Sequence, residues 1–156
     1  LQLRKQDHRP AVLTSNANRQ LSELDRDLIE QRSYAFWGMR HRGEVAELAS
    51  LVAEDCVYVG RTWLGHPADI RREGREACLE WARELSRMAV TVKMDVLHLL
   101  IEGEQAVACR RITFRDPGSQ RTEDVIVCSF MRFRNGEMAE LIEYPDMLAI
   151  GRLLGD

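Results

Sequence analysis

The chain of 156 residues lacks the features by which many functional classes are recognised. It has no apolar run near the roughly 18 residues that a membrane-spanning helix needs. Its 22 basic and 25 acidic residues give a net charge of -3, so no excess of positive charge is available for nucleic acid or an anionic membrane. We therefore expect a partner that is neither nucleic acid nor membrane.

Motifs that hold a metal or a cofactor are also missing. There is no CxxC pair, no closely spaced pair of histidines and no glycine-rich phosphate-binding loop. The four cysteines lie far apart in apolar segments, which is typical of small buried side chains in a reducing compartment: Cys56, Cys78, Cys109 and Cys128. No signal-peptide core follows the first residues. We predict a cytoplasmic protein that uses neither a metal nor a cofactor.

The pattern of apolar residues changes its period near residue 89. Residues 1–20 are polar and aperiodic, which predicts an N-terminal extension, and 21–156 form a single domain. A capping pattern from Ser22 to Asp25 predicts where the first helix begins. Before the change of period we predict a short strand at 56–60, a loop at 61–70 and three helices, at about 22–42, 44–53 and 73–88.

After the change, the alternation of residues predicts four long strands and a short closing helix. The strands are expected at 90–101, 105–114, 121–133 and 137–144, and the helix at 147–154. Short turns separate the strands, of which Asn135-Gly136 is the strongest signal, so neighbouring strands run antiparallel as a meander.

The third long strand is apolar on both of its faces. Val125 and Val127 lie on one face, while Ile126, Cys128 and Phe130 lie on the other. Since a sheet with one wet face alternates apolar with polar residues, both faces are expected to be covered. Three helices can cover only one side, so we predict a homodimer through the outer sheet face. A peptide bound in an outer groove is a further alternative.

Three short motifs occur in a fixed order along the chain. Ala53–Tyr58 reads AEDCVY, Gly74–Ala77 reads GREA, and Ile142–Asp146 reads IEYPD. Together they resemble the SnoaL-like branch of the nuclear-transport-factor-2-like superfamily, over residues 22–154. The resemblance implies an α+β cone, in which a curved antiparallel sheet (the four-strand meander plus a short first strand) wraps around three N-terminal helices. It also implies an apolar pocket for a small organic molecule.

The resemblance implies positions for catalytic residues as well. In the limonene-epoxide-hydrolase type, an arginine and an aspartate two residues apart join an aspartate on the last strand, while a tyrosine and an asparagine hold water. By strand phase this chain offers Arg111, Thr113, Glu143, Tyr58 and Gly60. The arginine, the last-strand carboxylate and the tyrosine are thus retained, and the other two are replaced.

Two other types within the superfamily give different expectations. The groups of the ketosteroid-isomerase type would fall on Gly60, near Phe36 and on Ser129, so none of them is present. Polyketide cyclases of the SnoaL type use a single pocket carboxylate as the acid/base. Glu143 or Asp146 could fill that role.

The closing strand therefore carries the main catalytic candidates. Glu143 shares its strand phase with Leu141 and should point into the cone as the acid/base. Arg111 is predicted to orient it or to bind an anion, and Tyr58 to anchor a ligand. The alternative is a purely structural ion pair between Arg111 and Glu143, without a catalytic role. Asp146 is a further catalytic candidate, but it could equally cap the last helix.

The predicted ligand contacts come from the loop and from the inner strand positions. Trp63 and His66 would rim the pocket, and an imidazole ordinarily titrates near neutrality. The strand positions are Cys109, Thr113, Val127, Ser129, Met131 and Leu141. His98 is expected to pack in the core, and His41 carries no functional signal. We predict cofactor-free acid/base chemistry (cyclisation, isomerisation, dehydration or epoxide opening) on a small apolar substrate; the alternative is a non-catalytic ligand-binding or dimerisation module.

Overall fold

A computed structural model describes residues 16–61 and 69–155, with side chains from residue 25 onward. Four α-helices occur in these ranges: α1 Asn16–Arg42, α2 Val45–Leu48, α3 Arg75–Met88 and α4 Met147–Leu154. A 3-10 helix, Ala49–Leu51, follows α2. The strands of these ranges are β1 Val52–Gly60, β2 Ile70–Glu73, β3 Val90–Glu102, β4 Gln105–Arg115, β5 Thr122–Arg134 and β6 Glu137–Pro145. None of the helices described has the length and apolar character needed to cross a membrane.

The strands form one curved mixed sheet in the order β2-β1-β6-β5-β4-β3. The predicted α+β fold with its antiparallel meander from β3 to β6 is confirmed. β1 continues the sheet beside β6 but runs parallel to it. The short strand β2 was not predicted, because its sequence IRRE has a single apolar residue and no alternation to mark it.

The N-terminal boundaries differ from those expected. α1 begins at Asn16, so residues 16–20 are helical rather than part of an extension, and Ser22 lies inside the helix instead of capping it. Residues 1–15 lie outside the described part. The helix ends at Arg42 before Gly43, whose φ of 70° suits a residue without a side chain.

The inner face of α1 places polar side chains within the core. Residues that face the sheet recur at helical spacing: Ile29, Ser33, Phe36, Trp37 and Arg40. The hydroxyl of Ser33 donates to the backbone oxygen of Ile29 at 2.8 Å, which satisfies it inside the core. One face of a single helix therefore supplies both core side chains and a cation for the interior.

The core has two parts with a cavity beside them. In the main part, α1, α2 and α3 pack on the concave face of the sheet. In the smaller part, Ala149 and Ile150 of α4 pack on Ile112, Val125 and Val127 of β4 and β5. α4 therefore covers an end of the sheet that the other helices leave open.

The position of α4 depends on its N-cap. The carboxylate of Asp146 accepts hydrogen bonds from the backbone N–H groups of Leu148 and Ala149, at 3.0 and 3.1 Å. Replacing an N-cap aspartate by alanine costs about 1 kcal/mol. We therefore expect Asp146→Ala to lower the free energy of unfolding by this amount in urea denaturation. Asp146→Asn is the matched control, because its side-chain oxygen can accept the same bonds; an equal loss in both variants would contradict the capping role.

Candidate functional site

An inner cavity lies between the helices and the concave face of the sheet. Its volume is about 80 Å³, whereas one water needs roughly 10–15 Å³, so it has room for a small ligand. Most of the described lining residues are apolar and come from α1, α3, α4 and the strands β4 and β5, among them Trp37, Leu85, Ile112, Phe114, Val127 and Ile150. The cavity is thus a largely apolar space between three helices and one sheet.

Four titratable side chains line one region of the inner cavity: Arg40, His41, Arg110 and Glu143. Arg40 Nη1 donates to both carboxylate oxygens of Glu143, at 2.9 and 3.0 Å. Arg110 Nη2 donates to Glu143 Oε1 at 2.8 Å. Glu143 is 4% exposed and Arg110 only 2%. Arg40, Glu143 and Arg110 are called the ion cluster below.

Three uncharged side chains hold the ion cluster in place. Ser129 Oγ lies 2.6 Å from Arg110 Nη2, and the Tyr58 hydroxyl lies 3.3 Å from Glu143 Oε2. The Trp37 ring lies under the Arg110 guanidinium, with 4.9 Å between its centroid and Cζ. Both Arg110 and Glu143 thus have contacts besides their ion pair.

The register of the sheet explains why these residues meet. Ser129 of β5 is paired with Glu143 of β6, and Arg110 of β4 is paired with Val127 of β5. Since inward positions recur every second residue, all four side chains point to the concave face. Arg40 reaches them from the facing side, on the last turns of α1.

The charges of the ion cluster determine its protonation. Burial alone would raise the pKa of Glu143, but the charges and hydrogen bonds of Arg40 and Arg110 outweigh it and hold the pKa at about 2. Burial, together with repulsion from Arg40, lowers the pKa of Arg110 despite its attraction to Glu143. At neutral pH the cluster therefore contains an ionised carboxylate and two guanidinium groups.

His41 is neutral at physiological pH. Burial, and then the positive charges of Arg110 and Arg40, lower its pKa to about 4. Its Nε2 atom contacts Met94 Sδ, while its Nδ1 atom is buried and has no hydrogen-bond partner in the part of the chain that the structure describes. The inner cavity thus contains a neutral imidazole with one nitrogen free to accept a proton.

The predicted strand phase of β4 was wrong by one residue. Arg111 is exposed on the outer face opposite Ile126, so it does not pair with Glu143; Arg110 does. Cys109 and Thr113 share the outward phase of Arg111, and Thr113 Oγ1 lies 2.6 Å from Asp124 Oδ1. The prediction that these three residues line the pocket is therefore corrected.

This shift also corrects the comparison with the epoxide-hydrolase type. The residue two positions after the buried arginine is Ile112, which lines the inner cavity with an apolar side chain. Gly60 on β1 offers no side chain either. Two groups of that type, the aspartate after the arginine and the asparagine that holds water, are thus absent, and the aspartate is replaced by Ile112 rather than by Thr113.

The remaining predicted residues are distributed over several places. Val127 lines the inner cavity, and Met131 lies in the main core. Tyr58 and Leu141 line a second, smaller cavity of about 40 Å³ on the other side of Arg40. Asp146 is exposed and occupied as a helix cap. Trp63 and His66 lie outside the described residues.

Sequence reasoning missed three of the four titratable side chains in the cavity. Arg110 could have been found by counting the register back from the β4–β5 turn. Arg40 could have been found from its spacing of three residues from Trp37 on an amphipathic helix. His41 left no signal, because its surroundings come from distant segments; His98, which was expected in the core, is exposed on β3.

The low pKa of Glu143 predicts acid sensitivity. A carboxylate whose folded pKa lies below its unfolded value of 4.5 stabilises the fold above that value, and this stabilisation is lost as the pH falls towards 2. The contribution is on the order of 3 kcal/mol. We expect urea denaturation between about pH 5 and 2 to show this loss for the wild type and a flatter profile for Glu143→Gln, which is less stable at neutral pH.

The control for this measurement is Glu140→Gln, on the opposite face of the same strand. It should retain the pH dependence of the wild type. Parallel pH profiles for wild type and Glu143→Gln would show that the ion cluster is not the source of the acid sensitivity.

Known proteins give independent evidence on the family. The sequence profile of the SnoaL-like domain matches residues 31–141. No curated protein sequence matches the chain.

Solved structures with the same fold have low sequence identity to the chain. A provisionally assigned isomerase from Rhodopseudomonas palustris is 20% identical, with a TM-score of 0.72 over 80% of this chain and 97% of the other. A LEH-like epoxide hydrolase from M. tuberculosis is 14% identical, with a TM-score of 0.65 over 82% and 90%. A provisionally assigned SnoaL-like polyketide cyclase from Jannaschia sp. CCS1 is 14% identical, with a TM-score of 0.72 over 83% and 94%. At these identities the likeness concerns the fold alone, and with the matched profile the chain belongs to the SnoaL-like domain family.

Proposed function

We propose that the protein converts a small, largely apolar organic molecule in the inner cavity by cofactor-free acid/base chemistry. The observation that carries this proposal is a neutral imidazole beside a buried ion cluster with excess positive charge, in an otherwise apolar cavity. The fold is shared with proteins named as an isomerase, an epoxide hydrolase and a polyketide cyclase, which supports this class of reaction.

His41 is the proposed proton acceptor. His41 lines the inner cavity, and its Nδ1 atom has no hydrogen-bond partner among the described residues, so we assign to it the removal of a proton from a substrate carbon next to a carbonyl group. The electron pair of that C–H bond forms a C=C bond, and the π pair of the carbonyl group moves onto its oxygen; when the imidazolium returns the proton to another carbon of this system, the C=O bond re-forms. Arg110 and Arg40 place positive charge where the oxygen becomes negative, in a largely apolar site.

Glu143 is better suited to positioning than to proton transfer. With a pKa of about 2, against about 4 for His41, it stays ionised and is the weaker proton acceptor of the two. Both of its oxygens are occupied by arginine donors. We therefore assign it the role of holding the two guanidinium groups, with the Tyr58 hydroxyl as a further contact on its carboxylate.

A non-catalytic ligand-binding module is the competing function. It is favoured by Gly60 and Ile112, which stand where an epoxide hydrolase of this fold would hold its water. Among the described residues that line the inner cavity, Glu143 is the sole carboxylate. A protein that only binds its ligand would need no proton acceptor, so the test below targets His41.

Solvent exchange tests the proposed proton transfer without requiring the natural substrate. The protein is incubated in D2O with small carbonyl compounds such as acetophenone, cyclohexenone and phenylacetone, and NMR follows deuterium uptake at carbon. We expect His41→Gln to slow the exchange by about 100-fold or more, the usual contribution of a general base. His98→Gln, which alters an exposed histidine of β3, is the matched control and should exchange like the wild type.

The outcomes separate the two functions. Equal exchange rates for wild type and His41→Gln would remove His41 from the reaction. Compounds that bind by ligand-observed NMR but never exchange would favour the non-catalytic module.

We also propose that two copies pair through the outer sheet face, as the sequence suggests. Exposed apolar side chains are prominent there: Leu100 is 71% exposed, Phe130 47% and Tyr144 45%. Arg132 and Glu140 border the same shallow groove with charges of opposite sign. A surface with both signs can complement a copy of itself about a twofold axis.

Sedimentation velocity tests this pairing. We expect Phe130→Lys to convert a dimer into a monomer, because it places a charge in the middle of the apolar face. Leu148→Lys is the control, since Leu148 is 77% exposed on α4, away from this face. A wild-type monomer would refute the dimer and leave an outer partner, such as a peptide, to be sought.

A further inference from the structure

We infer that the ligand of the inner cavity is an organic monoanion, whose negative group binds beside Arg110 and whose apolar body fills the rest of the cavity. The inference rests on the proposed function only for the location of the ligand. It adds a chemical class, of which a small aromatic or aliphatic carboxylate is the simplest member.

The first support is the charge balance of the site. Arg40 and Arg110 carry two positive charges, and Glu143 carries one negative charge. No other carboxylate occurs among the described residues of the lining, and His41 is neutral. One positive charge is thus left over in a buried place, where an uncompensated charge is costly. A bound anion would balance it.

The second support is the hydrogen bonding of Arg110. Its Nη2 atom donates to Ser129 and Glu143, but its Nη1 atom has only a distant contact, 4.0 Å from Met94 Sδ. Its Nε atom is buried and has no hydrogen-bond partner within residues 16–61 and 69–155. Buried donors of this kind are rare and call for an acceptor that is supplied from elsewhere. An ionised oxygen of a ligand would be a suitable acceptor, because a guanidinium donates strong hydrogen bonds to anionic oxygens.

The third support is the apolar lining, which selects among anions. Ile112, Phe114, Val127, Ile150 and Leu153 surround the space beyond the charged groups. A hydrated inorganic ion would gain the contact with Arg110 but would lose its water without burying any apolar surface. An anion with an apolar body gains burial of that body as well as the contact with Arg110.

Anion binding would also change His41. The positive charges of Arg110 and Arg40 help to lower the pKa of this imidazole. A negative group placed beside Arg110 offsets that effect, so the pKa of His41 should rise towards neutrality when the ligand binds. His41 would thereby be a stronger base in the complex with the bound ligand than in the free protein.

The experiment compares anions with neutral isosteres. Binding of benzoate and hexanoate is measured against benzamide and hexanamide by calorimetry, with chloride and inorganic phosphate as ionic controls. We expect each carboxylate to bind at least about tenfold more tightly than its amide, as one hydrogen bond to a charged group implies. Phosphate and chloride should compete only weakly. Equal affinity for acid and amide would overturn the inference.

Neighbouring arginines provide matched variants. Arg110→Met should weaken carboxylate binding by at least about tenfold and leave amide binding nearly unchanged. Arg111→Met alters the next residue on the outer face and should bind like the wild type. Equal carboxylate affinities in Arg110→Met and Arg111→Met would show that Arg110 is not the binding group.

The variant Glu143→Gln tests the same inference in a second way, which remains valid if Arg110→Met does not fold. Because this change removes the only carboxylate among the described lining residues, it should increase the affinity for benzoate and hexanoate. A loss of affinity in a folded Glu143→Gln protein would contradict the inference. If carboxylates bind but no deuterium is exchanged, the anion site is supported and the proposed catalysis is contradicted. If neutral ketones exchange deuterium but carboxylates do not bind more tightly than amides, the proposed catalysis is supported and the anion site is contradicted.

Discussion

The shared carboxylate of Glu143 is the interaction on which the interior of this protein depends. An ionised side chain that is 4% exposed is tolerated only when opposite charges and hydrogen bonds surround it. Arg40 and Arg110 supply both, and they come from α1 and β4, so one residue of β6 links three separate elements. The linkage is mutual, because Arg110 would itself be a buried charge without a partner if Glu143 were absent. The same three residues therefore stabilise the core and form the candidate site.

One imbalance of charge explains the chemistry of the whole cavity. Two guanidinium groups around one carboxylate hold Glu143 ionised, add to the effect of burial in lowering the pKa of His41, and leave Arg110 Nε without a partner among the described residues. A general base and positively charged groups are normally difficult to combine in one site, because the positive charge lowers the pKa of the base. Here a negative charge on the ligand, or one that develops on it, relieves that conflict. The excess positive charge thus links the proposed anionic ligand to the proposed proton transfer.

Fold and site differ in how far sequence reasoning could predict them. The meander follows from local signals, such as the turn at Asn135-Gly136 and the alternation along each strand, so its strands were predicted within a residue or two. The inward direction of Glu143 followed from the phase of an alternating strand. Arg110 and Arg111 have apolar residues before and after them. The sequence of β4 therefore does not indicate which of the two points inward, and only the pairing with β5 shows it. Arg40 lies 103 residues from Glu143, and no local pattern connects them.

The sign of the charge in the site separates this chain from the epoxide-hydrolase type that its motifs resemble. A site with one arginine between two aspartates carries a net negative charge and can hold and activate water. In this chain Ile112 stands at the position of one carboxylate, and Arg40 adds a second cation from α1. The net charge is thereby reversed while the scaffold, the last-strand carboxylate and Tyr58 are kept. A negative site repels anions and a positive one attracts them, so this reversal of charge favours the proposed anionic ligand over an activated water.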